Sequence, residues 1–94
     1  MKYDELPSRL QSQAIKMVMD FCQYAINDAA KNNSTKSYKI DKNSIEVQEV
    51  LEDWEFEINI DEITNKKYLS RVWDSIKLYN FNGLLLCIFY SKKY

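Results

Sequence analysis

One segment constrains the fold of this 94-residue chain more than any other, because residues 9–31 contain no residue that breaks a helix. At 100° per residue the apolar side chains of this segment spread over an arc of about 220°, much wider than the stripe of a helix that buries one side. They are Leu10, Ala14, Ile15, Met17, Val18, Met19, Phe21, Cys22, Tyr24, Ala25, Ile26 and Ala29. We therefore predict a long first helix that is covered on two sides by other elements, or by a second copy in a homodimer.

The middle of the chain predicts a second, shorter helix and then a strand. Asn43 or Ser44 can cap this helix, and Glu46 follows Asn43 by three residues, the spacing of a capping box. Apolar and polar residues then alternate over residues 54–60, which is typical of a strand with one buried face. Between the two helices, residues 38–40 predict a short edge strand.

The last third of the chain predicts a third helix and a final strand. Thr64 or Asn65 can cap a helix that runs to about Tyr79, with an apolar stripe at helical spacing: Leu69, Val72, Trp73, Ile76 and Tyr79. Residues 84–90 are apolar on both faces, as in the middle of a sheet. The predicted fold is a single α+β domain over residues 1–94, with three helices packed on a two- to three-stranded, mainly antiparallel sheet.

The composition favours a binding protein over an enzyme. The chain has no histidine, which removes the usual general base near neutral pH, the common zinc ligand and every Ser-His or Cys-His pair. Its two cysteines, Cys22 and Cys87, lie among apolar neighbours and are expected to be buried, reduced thiols. We predict no catalytic residue, no cofactor and no metal site.

The charges of the chain are unevenly distributed. Residues 46–62 hold eight acidic residues and no Lys or Arg, and subtracting these eight from the 14 acidic residues leaves six against 13 basic ones elsewhere. The net charge of −1 therefore combines a segment of −8 with a remainder of +7. Basic residues are scattered, so direct nucleic-acid binding is not expected.

Five of these acids form the predicted partner-binding site: Glu46, Glu49, Asp53, Glu55 and Glu57. The first three share a helix face, and the last two point to the same side of a strand, about 6.6 Å apart. That spacing is of the same order as successive phosphates, so an exposed stripe could dock in a groove built for DNA or RNA. The alternatives are a solvated face paired with the chain's own lysines, or a Mg²⁺ or Ca²⁺ site, although no EF-hand loop pattern is present.

The opening Tyr3-Asp4-Glu5-Leu6-Pro7, followed by Gln11, Ala14 and Ile15, resembles the start of a loose group of short phage and prophage accessory proteins. A fainter similarity lies at Phe81-Asn82-Gly83, ahead of the final strand. The resemblance implies a phage-encoded protein, in a size and charge class that includes anti-CRISPR and other anti-defence inhibitors. It carries over no catalytic or binding residue, because the matching positions belong to the helix entry and the core.

These observations predict a stoichiometric inhibitor that binds a basic groove of a host protein, such as a nuclease or another defence effector. One alternative is an oligomer that sequesters a small ligand or has a structural role. Another is an immunity protein or antitoxin that neutralises a basic toxin by the same charge complementarity. The start of the chain lacks a signal-peptide pattern and the longest apolar run is too short to cross a bilayer, so we expect action in the host cytoplasm without membrane contact.

Overall fold

The computed structural model describes residues 1–71 together with their side chains, and the backbone of residues 75–81 and 84–90. In chain order, a 3-10 turn (Tyr3–Glu5) precedes the helices α1 (Ser8–Asn32) and α2 (Ile45–Asp53). Four strands follow: β1 (Phe56–Ile60), β2 (Lys67–Arg71), β3 (Ser75–Phe81) and β4 (Leu84–Tyr90). The α+β class is therefore confirmed.

The long first helix is confirmed, and both of its ends have local causes. The carbonyl of Pro7 accepts hydrogen bonds from the amides of Leu10 and Gln11, both at 2.9 Å, so proline begins the helix without needing a donor of its own. At the other end Ser34 has a positive φ of 56°, and the amide of Thr35 bonds to the carbonyl of Ala30 at 2.9 Å. This Schellman-type closure satisfies the last carbonyls and stops α1 at Asn32.

Other elements of the same chain cover most of the wide apolar arc of α1, whereas Tyr24 is 72% exposed. The helix lies against α2 on one side and against β2 and the backbone of β4 on another. Its fully buried positions include Ala14, Val18, Cys22 and Ile26. The two-sided cover that was one alternative for this arc is therefore present within the chain.

The edge strand predicted at residues 38–40 is wrong. A side chain of α1 takes the place of a neighbouring strand, because the Gln23 amide donates to the carbonyl of Tyr38 at 2.9 Å and accepts from the amide of Ile40 at 3.1 Å. The carbonyl of Tyr38 and the amide of Ile40 are thus satisfied without a ladder partner. The polar connection thus crosses α1 as an irregular segment.

The second helix is confirmed, with Ser44 at its N-cap position. Val47, Val50 and Leu51 are buried against α1, and the chain leaves α2 through Trp54, which is 1% exposed. Phe56 continues the same core at the start of β1. The predicted strand at residues 54–60 is therefore confirmed in type, and the structure begins it at Phe56.

The predicted third helix is wrong, because the segment from Thr64 to Tyr79 contains the strand β2 and most of β3. β2 pairs antiparallel with β1, with Phe56 opposite Arg71 and Ile60 opposite Lys67. Aromatic and β-branched residues are frequent in this segment, and they suit a strand as well as a helix. The backbone of β1 also needs a ladder partner, which a helix cannot provide.

The final strand is confirmed, but its predicted place in the middle of a sheet is wrong. In the described backbone, β4 pairs with β3 alone, and β1 and β2 form a separate two-stranded sheet. Phe81 at the end of β3 lies opposite Leu84 at the start of β4. The predicted core positions of Trp73 and Cys87 concern side chains outside the described residues.

Candidate protein-binding surface

The five predicted partner-binding residues do not form one exposed stripe. Glu49 and Glu57 are exposed, as expected, whereas Asp53 and Glu55 are half-buried and Glu46 is buried at 5% exposure. The expectation of a fully exposed side chain is therefore wrong for Glu46, Asp53 and Glu55. Two different contacts account for Glu46 and Glu55.

Glu46 is buried because α2 packs on α1. It lies in the first turn of α2, where the positive end of the helix dipole stabilises a carboxylate. Across the interface it faces Cys22, a free and fully buried cysteine, as predicted for that residue. Burial, and then the charge of Glu46, raises the pKa of the Cys22 thiol to about 12. This pair belongs to the helix interface and offers nothing to a macromolecular partner.

Glu55 is half-buried because the N-terminus of the chain folds over it. The ammonium group of Met1 lies 3.0 Å from the Glu55 carboxylate, and Lys2 Nζ approaches the same group at 3.7 Å. Met1 also exchanges two backbone hydrogen bonds of 2.7 Å with Phe56, in the manner of a one-residue strand. Glu55 is thus engaged within the chain.

Lys2 also closes the end of α2. Its ammonium group donates to the carbonyls of Glu52 at 3.3 Å and Asp53 at 3.1 Å, where the helix leaves acceptors without partners. The N-terminus therefore divides the acidic segment into two parts. Periodicity could not reveal this division, because Met1 and Lys2 are distant in sequence from the groups that they contact.

The remaining exposed acids lie on α2 and on the β1–β2 hairpin. Glu49 and Glu52 belong to α2, and Glu57, Asp61 and Glu62 belong to the hairpin. Within residues 1–71 the carboxylates of these five form no ion pair; the only pairs there join Glu55 to Met1 and Lys2, and Lys16 to Asp20. Their charge is therefore available to a partner.

The hairpin also exposes large apolar side chains. Ile63 at its tip is 94% exposed, Ile60 is 56% exposed and Tyr68 on the returning strand is 48% exposed. The tip is a defined turn: Asp61 Oδ1 accepts from the amide of Ile63 at 2.9 Å, and Asn65 has a positive φ of 57°. We call this set of exposed residues the hairpin surface: Glu57, Ile60, Asp61, Glu62, Ile63 and Tyr68. Helical periodicity missed it, because that interpretation placed a helix start at Thr64 or Asn65.

An arginine that packs against two aromatic rings holds the base of the hairpin in place. The guanidinium carbon of Arg71 lies 3.9 Å from the ring centroid of Trp54 and 4.3 Å from that of Phe21. Burial lowers the pKa of Arg71 to about 10, which still leaves it charged at neutral pH. A shallow cavity of about 390 Å³ adjoins these side chains and Met17. Cation–π packing of this kind ties β2 to α1 and thereby sets the direction of the hairpin.

Two further properties concern the part of the chain that the structure describes. None of its helices is long and apolar enough to cross a membrane. No three His, Cys, Asp or Glu side chains within it are grouped as metal ligands would be.

No family model, curated protein or solved structure matches this chain. The resemblance of its first residues to phage accessory proteins therefore stays a prediction.

Proposed function

We propose that this chain is a non-catalytic binding protein that docks on a basic protein surface and blocks it. The observation that carries the proposal is the hairpin surface, where Ile63 and Tyr68 are exposed beside three carboxylates that form no ion pair within residues 1–71. Ile60 is exposed on the other face of the same hairpin. None of these three apolar residues belongs to the core cluster. Their position beside charge is typical of an interface.

The two kinds of side chain would have separate roles in binding. Exposed carboxylates attract a basic partner at long range and raise the association rate, an effect that salt weakens. Apolar anchors such as Ile63 and Tyr68 lose water on contact and slow dissociation. This division of roles suits a stoichiometric inhibitor, and it suits an immunity protein or antitoxin equally well.

Strict mimicry of a phosphate backbone has less support than a mixed acidic and apolar interface. Mimicry was expected from Glu55 and Glu57 at two-residue spacing, but Glu55 is held by Met1 and Lys2. Glu57 remains exposed on β1, and the next acids follow at the hairpin turn. The proposed partner is therefore a basic surface that also has an apolar recess to receive the hairpin tip.

The test is affinity capture from a bacterial lysate at low salt and at about 0.5 M salt, with mass spectrometry of the retained proteins. The double variant Glu57→Lys with Glu62→Lys should lose a salt-sensitive basic protein that the unmodified chain retains. Asp4→Lys with Asp28→Lys is the matched control, because both residues are exposed and the net charge changes equally.

Equal capture by both double variants would contradict the proposal, since net charge alone would then explain the binding. Light scattering on the same samples tests the alternative of a homodimer through α1. A monomer at high concentration would exclude that dimer.

A further inference from the structure

We propose that the outer edge of β1 binds an extended segment of the partner protein as an additional antiparallel strand. The inference rests on the proposed function and specifies how the hairpin surface would engage its target. It depends on the direction in which the backbone groups of β1 point.

The contacts of Met1 establish that direction. Phe56 directs both its amide and its carbonyl away from β2, since it exchanges two hydrogen bonds with Met1. Asp61 directs its amide toward β2, where it bonds to the carbonyl of Lys66 at 2.9 Å. Because directions alternate along an antiparallel ladder, Ile58 and Ile60 present their amides and carbonyls on the outer edge, like Phe56.

These edge groups are open to a partner. Within the described part of the chain, neither Ile58 nor Ile60 has a backbone hydrogen bond outside the β1–β2 ladder. Met1 pairs with this edge at Phe56, so a strand at the next two outward positions would continue a pairing that has already begun. An open edge of this kind is a template for strand addition.

Charge identifies the kind of strand that would fit. Glu57, Asp61 and Glu62 lie along β1 and the start of the turn, whereas the basic residues Lys66 and Lys67 lie on the returning side. An added strand would therefore meet carboxylates first. Basic residues on its solvent face would pair with these acids, and apolar residues on its other face would pack beside Ile60.

A second copy of the chain fits this edge poorly. A two-fold antiparallel pairing that uses both Ile58 and Ile60 places Ile58 opposite Ile60 of the other copy, and therefore Glu57 opposite Asp61. Like charges directly opposite each other destabilise a sheet. The proposed occupant is thus a segment that alternates basic and apolar residues.

The test uses the full chain and the peptide Thr-Lys-Val-Lys-Val-Lys-Thr, acetylated at its N-terminus and amidated at its C-terminus, at low salt. Amide hydrogen exchange followed by NMR should show the Ile58 and Ile60 amides slowed at least tenfold by the peptide. The control peptide has the same charges but carries N-methyl groups on two adjacent central amides. Because adjacent amides of a strand point to opposite sides, these methyl groups prevent strand pairing along either edge of the peptide. It should give no such protection.

A pair of variants separates the backbone from the side chain. Ile60→Pro removes the outward amide without removing a bond to β2, and proline is tolerated on an edge strand. Ile60→Ala keeps the amide and removes most of the side chain. Loss of one hydrogen bond should make peptide binding by the proline variant about fivefold weaker than binding by the alanine variant.

Three results would overturn the edge proposal. In the first, the peptide binds while the Ile58 and Ile60 amides exchange as fast as in the free chain. In the second, the peptide does not bind. In the third, these amides become protected as the protein concentration rises without any peptide, which would mean that a second copy of the chain occupies the edge. The proposed function fails separately, if Glu57→Lys with Glu62→Lys captures the same proteins as its control. The two failures are therefore distinguishable.

Discussion

The ammonium group of Met1 lies 3.0 Å from the carboxylate of Glu55, so the first residue of the chain is joined to the residue that precedes β1. The contact is half-buried, since the Glu55 side chain is 14% exposed and that of Met1 is 44% exposed. Two backbone hydrogen bonds between Met1 and Phe56 reinforce it. The N-terminus thereby acts as part of the fold and removes one carboxylate from the acidic surface.

Replacing Glu55 by Gln should lower the free energy of unfolding by about 1 kcal/mol, because the variant loses its ion pairs with Met1 and Lys2 at a partly exposed site. Urea denaturation measures this change. Glu57→Gln is the matched control and should leave stability nearly unchanged, since Glu57 is exposed and its carboxylate has no ion pair within residues 1–71. Equal losses in the two variants would mean that the N-terminal contact contributes no stability.

Charge reversal on α2 should give opposite results at two positions three residues apart. Glu46→Lys places a cation in a buried site at the positive end of a helix, and should cost about 3 kcal/mol of stability. Glu49→Lys changes an exposed side chain and should cost less than about 0.5 kcal/mol. Thermal unfolding compares the two. A tolerated lysine at position 46 would show that Glu46 is accessible after all, and would return it to the set of binding candidates.

Cys22 should make stability depend on pH in the alkaline range. Its pKa rises from 9.0 to about 12 on folding, so above pH 9 the unfolded chain releases a proton that the folded chain keeps. The stabilisation is therefore complete below pH 9 and is lost by about 1.4 kcal/mol per pH unit up to pH 12.

The measurement compares the pH dependence of denaturation of the Cys87→Ala chain with that of a variant lacking both cysteines. The difference between the two slopes isolates Cys22 from the tyrosines and lysines that also titrate in this range. Parallel slopes would contradict the burial of the thiol. A thiol reagent should also react with Cys22 slowly in the folded chain and rapidly after unfolding.

Ile63 should contribute to binding and hardly at all to stability. Because it is 94% exposed, Ile63→Ser should change the free energy of unfolding by less than about 0.5 kcal/mol. In the lysate capture it should reduce the retained partner at least tenfold, as expected when an interface loses a central anchor. Ile45→Ser is the matched control, since Ile45 is 72% exposed at the start of α2 and outside the hairpin surface. Equal capture by the two serine variants would exclude the hairpin tip as the anchor.

The sequence by itself determined α1, α2, β1 and β4. α1, α2 and β1 each have a periodicity of their own, and β4 is a short continuous apolar run. α1 and α2 also have end signals such as Pro7 and Ser44. The α+β class followed from them, as did the burial of Cys22 and the exposure of Glu49 and Glu57. Interactions between near neighbours dominate at these positions, so local patterns were sufficient.

Only the tertiary structure decided the segment from Thr64 to Tyr79 and the usable part of the acidic surface. The aromatic and β-branched residues of that segment suit a strand as well as a helix, and the need of β1 for a ladder partner favours the strand. Glu46 and Glu55 are withdrawn by contacts with α1 and with an N-terminus more than 50 residues away. Such contacts leave no periodic signal, so a count of charges along the chain could not separate exposed carboxylates from buried ones.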